Sequence, residues 1–142
     1  MLEFAARTWR MRPENSEISR VNGDVEAWLA GHDVPFAGIY LANLTVEELV
    51  TNCIKYGYAG MDTTDKGIDV TISIASGELT IILTDDAAPF DPLAQAAPDL
   101  SLPIEERPIG GLGIHMLRQM STGFAYAFEN GRNVVTITKQ LA

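Results

Sequence analysis

Two apolar patterns near the middle of the chain constrain its fold more than any other feature. Between Ile68 and Ile74 apolar residues alternate strictly with polar ones, as expected for a strand with one buried face. Residues 78–84 form a second apolar run, and Ser76-Gly77 between the two runs is a turn signal. The sequence therefore predicts an antiparallel β-hairpin whose apolar face must be covered by another layer of structure.

Further patterns on both sides of this hairpin predict the other elements. They indicate an opening strand, two amphipathic helices, a short helix that begins at paired glycines, and two closing strands, in the ranges 2–12, 14–31, 36–58, 110–120, 124–129 and 134–139. So few helices cannot cover both faces of a sheet. The predicted fold is therefore an α/β two-layer sandwich, with a mixed, mostly antiparallel sheet and the helices on one face.

The length and charge of the chain exclude several classes of protein. Its 142 residues, of which 46% are apolar, suit a single domain over residues 1–142. The formal net charge of −9 repels phosphate backbones, so we expect no nucleic-acid partner. The chain has no apolar run long enough for a membrane helix, no signal-peptide core, and only one cysteine, Cys53. We therefore expect a cytoplasmic protein with no membrane partner.

The second predicted helix carries polar residues at helical spacing. Glu48 and Asn52 are four residues apart and share one helical face, and Lys55 follows three residues later on roughly the same stripe. These groups suit a magnesium-bound nucleotide, because an amide oxygen is a hard Mg²⁺ ligand and a carboxylate can act as a base toward a hydroxyl. An ordinary solvated polar face is the alternative interpretation of this helix alone.

Two more segments carry polar or glycine-rich signals. Asp85 ends the second hairpin strand, where its carboxylate can accept a hydrogen bond from the exocyclic amine of adenine; ordinary turn chemistry is the alternative. Residues 93–109 contain several prolines and predict a lid or a disordered loop. Gly110, Gly111 and Gly113 then open a helix whose N-terminus can bind phosphate. The spacing of these glycines fits neither a Rossmann motif nor a Walker A motif.

The order of these signals along the chain resembles that of a known family. The segments EELVTNCIKYGY, LTDDAAPFDP and GGLGIHMLRQM are similar to the N-box and the two glycine boxes of the Bergerat-fold ATPases. They look most like the anti-sigma factor serine/threonine kinases of bacteria, and the similarity extends over nearly the whole chain. The resemblance implies a histidine-kinase-like ATPase domain that binds ATP and Mg²⁺, with an ATP lid at about residues 93–109.

The resemblance also implies a role for each matching position. Glu48 corresponds to the general base, Asn52 to the Mg²⁺ ligand and Asp85 to the acceptor of the adenine amine. Ala87 stands where the family usually has glycine, so its methyl group either crowds the adenine or is accommodated by a small shift. A plain strand threonine is the alternative for Thr136. The nucleotide-binding positions implied in this way are Asn52, Lys55, Asp85, Ala87, Gly110, Gly111, Gly113 and Thr136.

In function, the resemblance implies an ATP-dependent protein serine/threonine kinase that acts as an anti-sigma factor. Such a kinase would phosphorylate a STAS-type anti-sigma antagonist in a partner-switching circuit, bind a sigma factor and form a homodimer. The alternative is a nucleotide-sensing module that sequesters a regulatory partner with little or no phosphotransfer. The transmitter domain of a histidine kinase fits less well, because the sequence has no helical hairpin with a phosphoacceptor histidine.

Overall fold

The structure, a computed structural model, describes residues 4–94, 101 and 112–141. Gly110 and Gly111 lie outside the described residues, as does the predicted lid at 93–109 except for residues 93, 94 and 101. The strands and α-helices of the described part are β1 (Ala5–Met11), α1 (Ser16–Gly31), α2 (Phe36–Asn52), β2 (Ile68–Ala75), β3 (Glu78–Asp85), α3 (Leu112–Met120), β4 (Gly123–Glu129) and β5 (Arg132–Gln140).

The strands form one sheet in the order β1-β2-β3-β5-β4. Every neighbouring pair is antiparallel, so the predicted sheet is confirmed and is more uniform than the mixed arrangement expected. The predicted hairpin between β2 and β3 turns at Ser76 and Gly77, and that between β4 and β5 at Asn130 and Gly131. All four residues have positive φ angles between 51° and 76°, as type I′ turns require.

The helices cover one face of this sheet and enclose the hydrophobic core. In β3 the buried residues Leu79, Ile81 and Leu83 alternate with partly exposed ones, so one face of the strand points into the core. Helices α1 and α2 contribute fully buried residues such as Val25 and Leu41 to the same cluster. The two-layer α/β sandwich predicted from the sequence is therefore confirmed.

The end of α2 departs from regular helix geometry. The region predicted as one helix to residue 58 is α-helical only to Asn52, and residues Cys53–Gly57 form one π-helical turn. The N–H of Tyr58 closes this turn on the carbonyl of Cys53 at 2.8 Å. Such turns are rare and frequently occur at functional sites. Because the turn is wider than an α-helical one, residues beyond Asn52 do not continue the stripe of Glu48.

Candidate functional site

A cavity opens where the end of α2 meets the ends of β3 and β5. Together with the open solvent at its mouth, it comprises about 310 Å³ of space between protein atoms. Most of the lining side chains are apolar, and a few convergent polar groups lie among them, which is typical of a small-molecule site. The lining residues are Leu49, Asn52, Cys53, Gly57, Leu83, Asp85, Ala87, Phe90, Pro92, Asn133 and Val135.

Asp85 is the carboxylate at the base of this cavity. It is only 1% exposed, and no lysine, arginine or histidine of the described residues forms an ion pair with it. Neutral groups satisfy it instead. Its Oδ1 accepts from the Asn133 side chain at 2.8 Å and from the N–H of Ala87 at 3.0 Å, and its Oδ2 accepts from the thiol of Cys53 at 3.1 Å. Asp85 is thus held as a hydrogen-bond acceptor facing the cavity.

Ala87, which stands in place of the family glycine, is accommodated by a glycine on the facing turn. Its φ angle is not in the left-handed region, so its backbone does not require glycine. A Cβ atom added to Gly57 would lie 2.9 Å from the Ala87 methyl group. The N–H of Ala88 also donates to the carbonyl of Gly57 at 3.1 Å, which holds the two segments together. The methyl group of Ala87 therefore packs into space that the missing side chain of Gly57 leaves free.

Asn52 and Glu48 extend the site along α2, from the wall of this cavity to the preceding helical turn. Asn52 lines the cavity, and within the described residues its side chain makes no hydrogen bond. Glu48 lies one turn earlier, partly buried, and its carboxylate likewise has no hydrogen-bond partner in the described part of the chain. Burial, and secondarily the negative charge of Glu47, raise the pKa of Glu48. A carboxylate with a raised pKa and free lone pairs is suited to accept a proton.

The first turn of α3 closes the site opposite Glu48. Gly113 lies so close to Glu48 that a Cβ atom at position 113 would overlap the carboxyl group. A larger residue at position 113 would force the Glu48 side chain to move, so a glycine here leaves the carboxyl group in its place. The structure therefore brings together Glu48, Asn52, Asp85, Ala87 and Gly113, which are predicted site residues from three separate segments.

Two predicted site residues lie away from this group. Lys55 is exposed, and its Nζ lies 5.2 Å from the centroid of the Tyr56 ring instead of lining the cavity. Thr136 lies on the opposite face of β5 from the two cavity-lining residues of that strand, Asn133 and Val135. The alternative interpretation of Thr136 as a plain strand residue agrees with this placement.

Sequence reasoning missed Asn133 and Cys53, which both touch Asp85. A signal for Asn133 was present, because it stands on the same alternating stripe as the apolar residues Val135 and Ile137. A polar residue on a buried stripe needs a hydrogen-bond partner, and its register partner in β3 is Asp85. Cys53 carried no such signal, since a buried cysteine commonly packs as a small apolar residue.

The site is better suited to a metal ion that binds together with a nucleotide than to one coordinated by protein side chains alone. Within the described residues there is no cluster of three or more His, Cys, Asp or Glu side chains that could hold a metal ion. The free amide of Asn52 offers one hard oxygen ligand. Mg²⁺ in nucleotide sites typically takes one or two protein ligands and completes its shell with phosphate oxygens and water. Asn52 therefore fits a magnesium ion that arrives with a nucleotide.

The fold and the cavity together define a nucleotide-binding domain of the histidine-kinase-like class. A family model described as a histidine kinase-like ATPase domain matches residues 11–139, so the chain belongs to this family. The chain is 21% identical, over 103 residues, to the serine/threonine-protein kinase BtrW of Bordetella bronchiseptica, a match that covers 72% of this chain and 71% of BtrW.

A solved structure supports the same fold. The chain is similar, with a TM-score of 0.68 and 17% sequence identity, to the crystal structure of the RsbU and RsbW domains of Rv1364c from Mycobacterium tuberculosis. The match covers 96% of this chain and 32% of that one, so the chain spans about a third of the solved protein. In the described part of the chain, no helix is both long and apolar enough to cross a membrane.

Proposed function

We propose that this protein is an ATP-dependent protein serine/threonine kinase. The observation that carries the proposal is the carboxylate of Glu48, which has a raised pKa and no hydrogen-bond partner among the described residues. It lies one helical turn before Asn52, outside the base-binding end of the cavity. A base at this position contributes to the transfer of phosphate to a hydroxyl and not to the binding of the nucleotide. The named kinase among its relatives, BtrW, agrees with the proposal.

The site residues divide into two groups with different tasks. Asp85 at the closed end of the cavity accepts the exocyclic amine of adenine, and the triphosphate extends along α2 past Asn52 toward the N-terminus of α3. The free N–H groups and the dipole of that helix favour the phosphate charge, and Gly113 lets the backbone approach. Mg²⁺, held by Asn52, would neutralise charge on the phosphates.

Transfer itself needs a base beside the terminal phosphate. The hydroxyl oxygen of a serine or threonine on the partner attacks the γ-phosphorus, its proton passes to the Glu48 carboxylate, and the bond from the γ-phosphorus to ADP breaks. ADP and a phosphorylated partner leave. Catalysis of this kind depends mainly on positioning and on charge stabilisation, so the contribution of Glu48 is to orient the hydroxyl and accept its proton.

The proposed partner is a STAS-type anti-sigma antagonist. In this proposal the kinase acts as a cytoplasmic, homodimeric anti-sigma factor that binds a sigma factor until the unphosphorylated antagonist displaces it. Phosphorylation of the antagonist then frees the kinase to bind the sigma factor again. The RsbW domain named in the similar solved structure supports a partner-switching role of this kind.

Labelled ATP with Mg²⁺ and a purified STAS-domain protein tests the proposal directly. We expect label on a serine or threonine of that protein with the wild-type chain, and a loss of about 100-fold or more in rate for Glu48→Gln with ATP affinity retained. At a pH above the rise in rate that Glu48 controls, Glu47→Gln is the matched control, because Glu47 is an exposed neighbour on the same helix. If Glu48→Gln transfers phosphate at the wild-type rate, the assignment of the base is wrong.

The alternative is a nucleotide-sensing module that sequesters a regulatory partner. It predicts measurable ATP affinity without transfer to any STAS-domain protein, and partner capture that differs between ATP and ADP. If a folded sample with Mg²⁺ shows no affinity for adenine nucleotides, both the kinase and the sensing module are excluded.

A further inference from the structure

The buried side-chain amide of Asn133, beside Asp85, makes several hydrogen bonds in addition to the backbone bonds of its strand. Asn133 is 2% exposed and lies directly across from Asp85 in the register of β3 and β5. Its Nδ2 donates to Asp85 Oδ1 at 2.8 Å and to the carbonyl of Ala88 at 2.9 Å. Its Oδ1 accepts from the N–H of Phe90 at 3.0 Å and from the hydroxyl of Tyr126. The amide thus joins Asp85 to the segment that leaves β3 and to strand β4.

These bonds fix which way the amide points. Its oxygen faces two donors, Phe90 and Tyr126. Its nitrogen faces three acceptors, Oδ1 of Asp85 and the carbonyls of Ala87 and Ala88. A flip of the amide would set donors against donors and acceptors against acceptors, which is costly for buried groups. Asn133 is therefore a donor to Asp85 and cannot turn its oxygen toward that carboxylate.

The two oxygens of Asp85 are consequently not equivalent. Oδ1 accepts from both Asn133 and the N–H of Ala87, which uses the two lone-pair directions of a carboxylate oxygen. Among the described residues, Oδ2 accepts only from the Cys53 thiol, a weak donor whose residue lines the cavity. One strong acceptor site thus remains on Asp85, on Oδ2 beside Cys53.

We infer that Asn133 is a positioning residue that sets the base specificity of the nucleotide site. By occupying Oδ1 and fixing the orientation of the carboxylate, it leaves Oδ2 as the only open group, and this group accepts but does not donate. A purine with an exocyclic amine at this position gains a hydrogen bond to a charged acceptor. A purine with a carbonyl there sets two acceptors against each other and gains no hydrogen bond from Asp85. The inference rests on the proposed function, because it places a purine in this cavity.

Titration with two nucleotides tests the inference. ATP and inosine triphosphate carry the same triphosphate and ribose. They differ in the amine or carbonyl that would face Asp85 and in the neighbouring ring atom N1, which carries a hydrogen only in the inosine base. With Mg²⁺ present, we expect wild type to bind ATP at least about tenfold more tightly, the equivalent of one lost hydrogen bond. In Asn133→Asp, two carboxylates within hydrogen-bond distance would share a proton, and that proton can be donated to a carbonyl. The preference for ATP should then fall to about threefold or less.

Two further variants separate positioning from general support of the fold. Tyr126→Phe removes one donor to the Asn133 oxygen but leaves both bonds to Asp85 Oδ1, so it should keep the wild-type ratio of affinities. Asn133→Ser shortens the side chain so that it no longer reaches Asp85, and it should also lower the ratio of ATP affinity to inosine triphosphate affinity. This variant replaces Asn133→Asp in the experiment if Asn133→Asp does not fold. A merely structural role predicts lower melting temperatures with an unchanged ratio in both Asn133 variants, and that result would overturn the inference.

Binding of the two nucleotides to the wild-type protein distinguishes failure of the proposed function from failure of the role proposed for Asn133. If wild type binds ATP and inosine triphosphate equally well, the nucleotide site stands and only the role of Asn133 is refuted. If wild type binds neither nucleotide, the proposed function fails and the inference about Asn133 fails with it.

Discussion

The methyl group of Ala87 lies against Gly57, 2.9 Å from the position that a Cβ atom at residue 57 would take. These residues belong to two segments of the site, the π-helical turn after α2 and the segment after β3. The pair has room for one methyl group but not for two. An alanine in the place of the family glycine is thus compatible with the cavity because its partner is itself a glycine.

This pairing predicts a rescue experiment. Gly57→Ala should reduce the free energy of unfolding by about 1–3 kcal/mol, because two buried methyl groups would overlap. Adding Ala87→Gly should recover most of this loss. Ala88→Gly, added to Gly57→Ala, is the matched control, since Ala88 is exposed and its methyl group does not contact residue 57. Denaturant unfolding measures the effect, and equal recovery by both second substitutions would contradict the pairing.

The raised pKa of Glu48 predicts a pH dependence of phosphotransfer. A base must be unprotonated, so the rate should rise with pH through the pKa of Glu48, and this rise should lie above the ordinary carboxyl value of 4.5. Because Glu47 contributes to the shift as a like charge, Glu47→Gln should move the rise to lower pH. Single-turnover rates from pH 4 to 9 check this. A profile that is identical in the two proteins would refute the proposed coupling between the glutamates.

The contact between Gly113 and Glu48 predicts that a methyl group on α3 disables the base. In Gly113→Ala the new Cβ atom would displace the Glu48 carboxyl group, so transfer should fall by about tenfold to 100-fold with a smaller change in ATP affinity. Gly23→Ala, in the middle of α1, is the control because a Cβ atom there meets nothing within 4 Å. It should leave activity unchanged and raise the free energy of unfolding by about 0.5–1 kcal/mol, since alanine is the better helix former. Full activity in Gly113→Ala would show that Glu48 can work from another rotamer.

Glu17, in the first turn of α1, predicts a pH dependence of stability. Hydrogen bonds from the Arg20 side chain at 2.8 Å and from the N–H of Arg12 at 3.1 Å lower the pKa of Glu17 from 4.5 to about 2. Because the folded-state pKa is lowered, the stabilisation is fully present above pH 4.5 and is lost as the pH falls toward about 2.

The corresponding substitution is Glu17→Gln. At neutral pH it should reduce the free energy of unfolding by about 1–2 kcal/mol, after allowance for solvent screening. The difference from wild type should shrink below pH 4.5. Glu14→Gln is the control, since Glu14 forms only an exposed ion pair with Arg12, and pairs of that kind contribute little. Denaturant unfolding at several pH values measures both, and a difference that stays constant with pH would contradict the role of Glu17.

Patterns that depend on neighbouring residues were predictable. The alternation in β2 and β3 and the Asn130-Gly131 turn follow from local backbone geometry, and the structure confirms both. Helical spacing predicted that Glu48 and Asn52 share one face of a helix. The apolar pattern of the second hairpin strand predicted that Asp85 lies at its end. The structure places all three side chains in one region, as the order of the motifs suggested.

Only the tertiary structure decided which face of a strand or helix packs against the core, and therefore which side chains line the site. On β5 both alternating stripes contain polar residues, and only the pairing with β3 puts Asn133 beside Asp85 and Thr136 on the opposite face. A shift of one residue along a strand reverses the face, so local pattern cannot select between such stripes. Lys55 does not lie on the helical face of Glu48 and Asn52, because the helix widens into a π-helical turn after Asn52.

The sequence by itself determined the elements, their order and the chemical groups available to the site, because these depend on spacing along the chain. The tertiary structure decided that Asn133 orients Asp85, that Gly57 makes room for Ala87, and that Gly113 makes room for Glu48. Each of these pairs joins residues that are at least 30 positions apart, and their contact depends on how the layers pack, which no local pattern encodes.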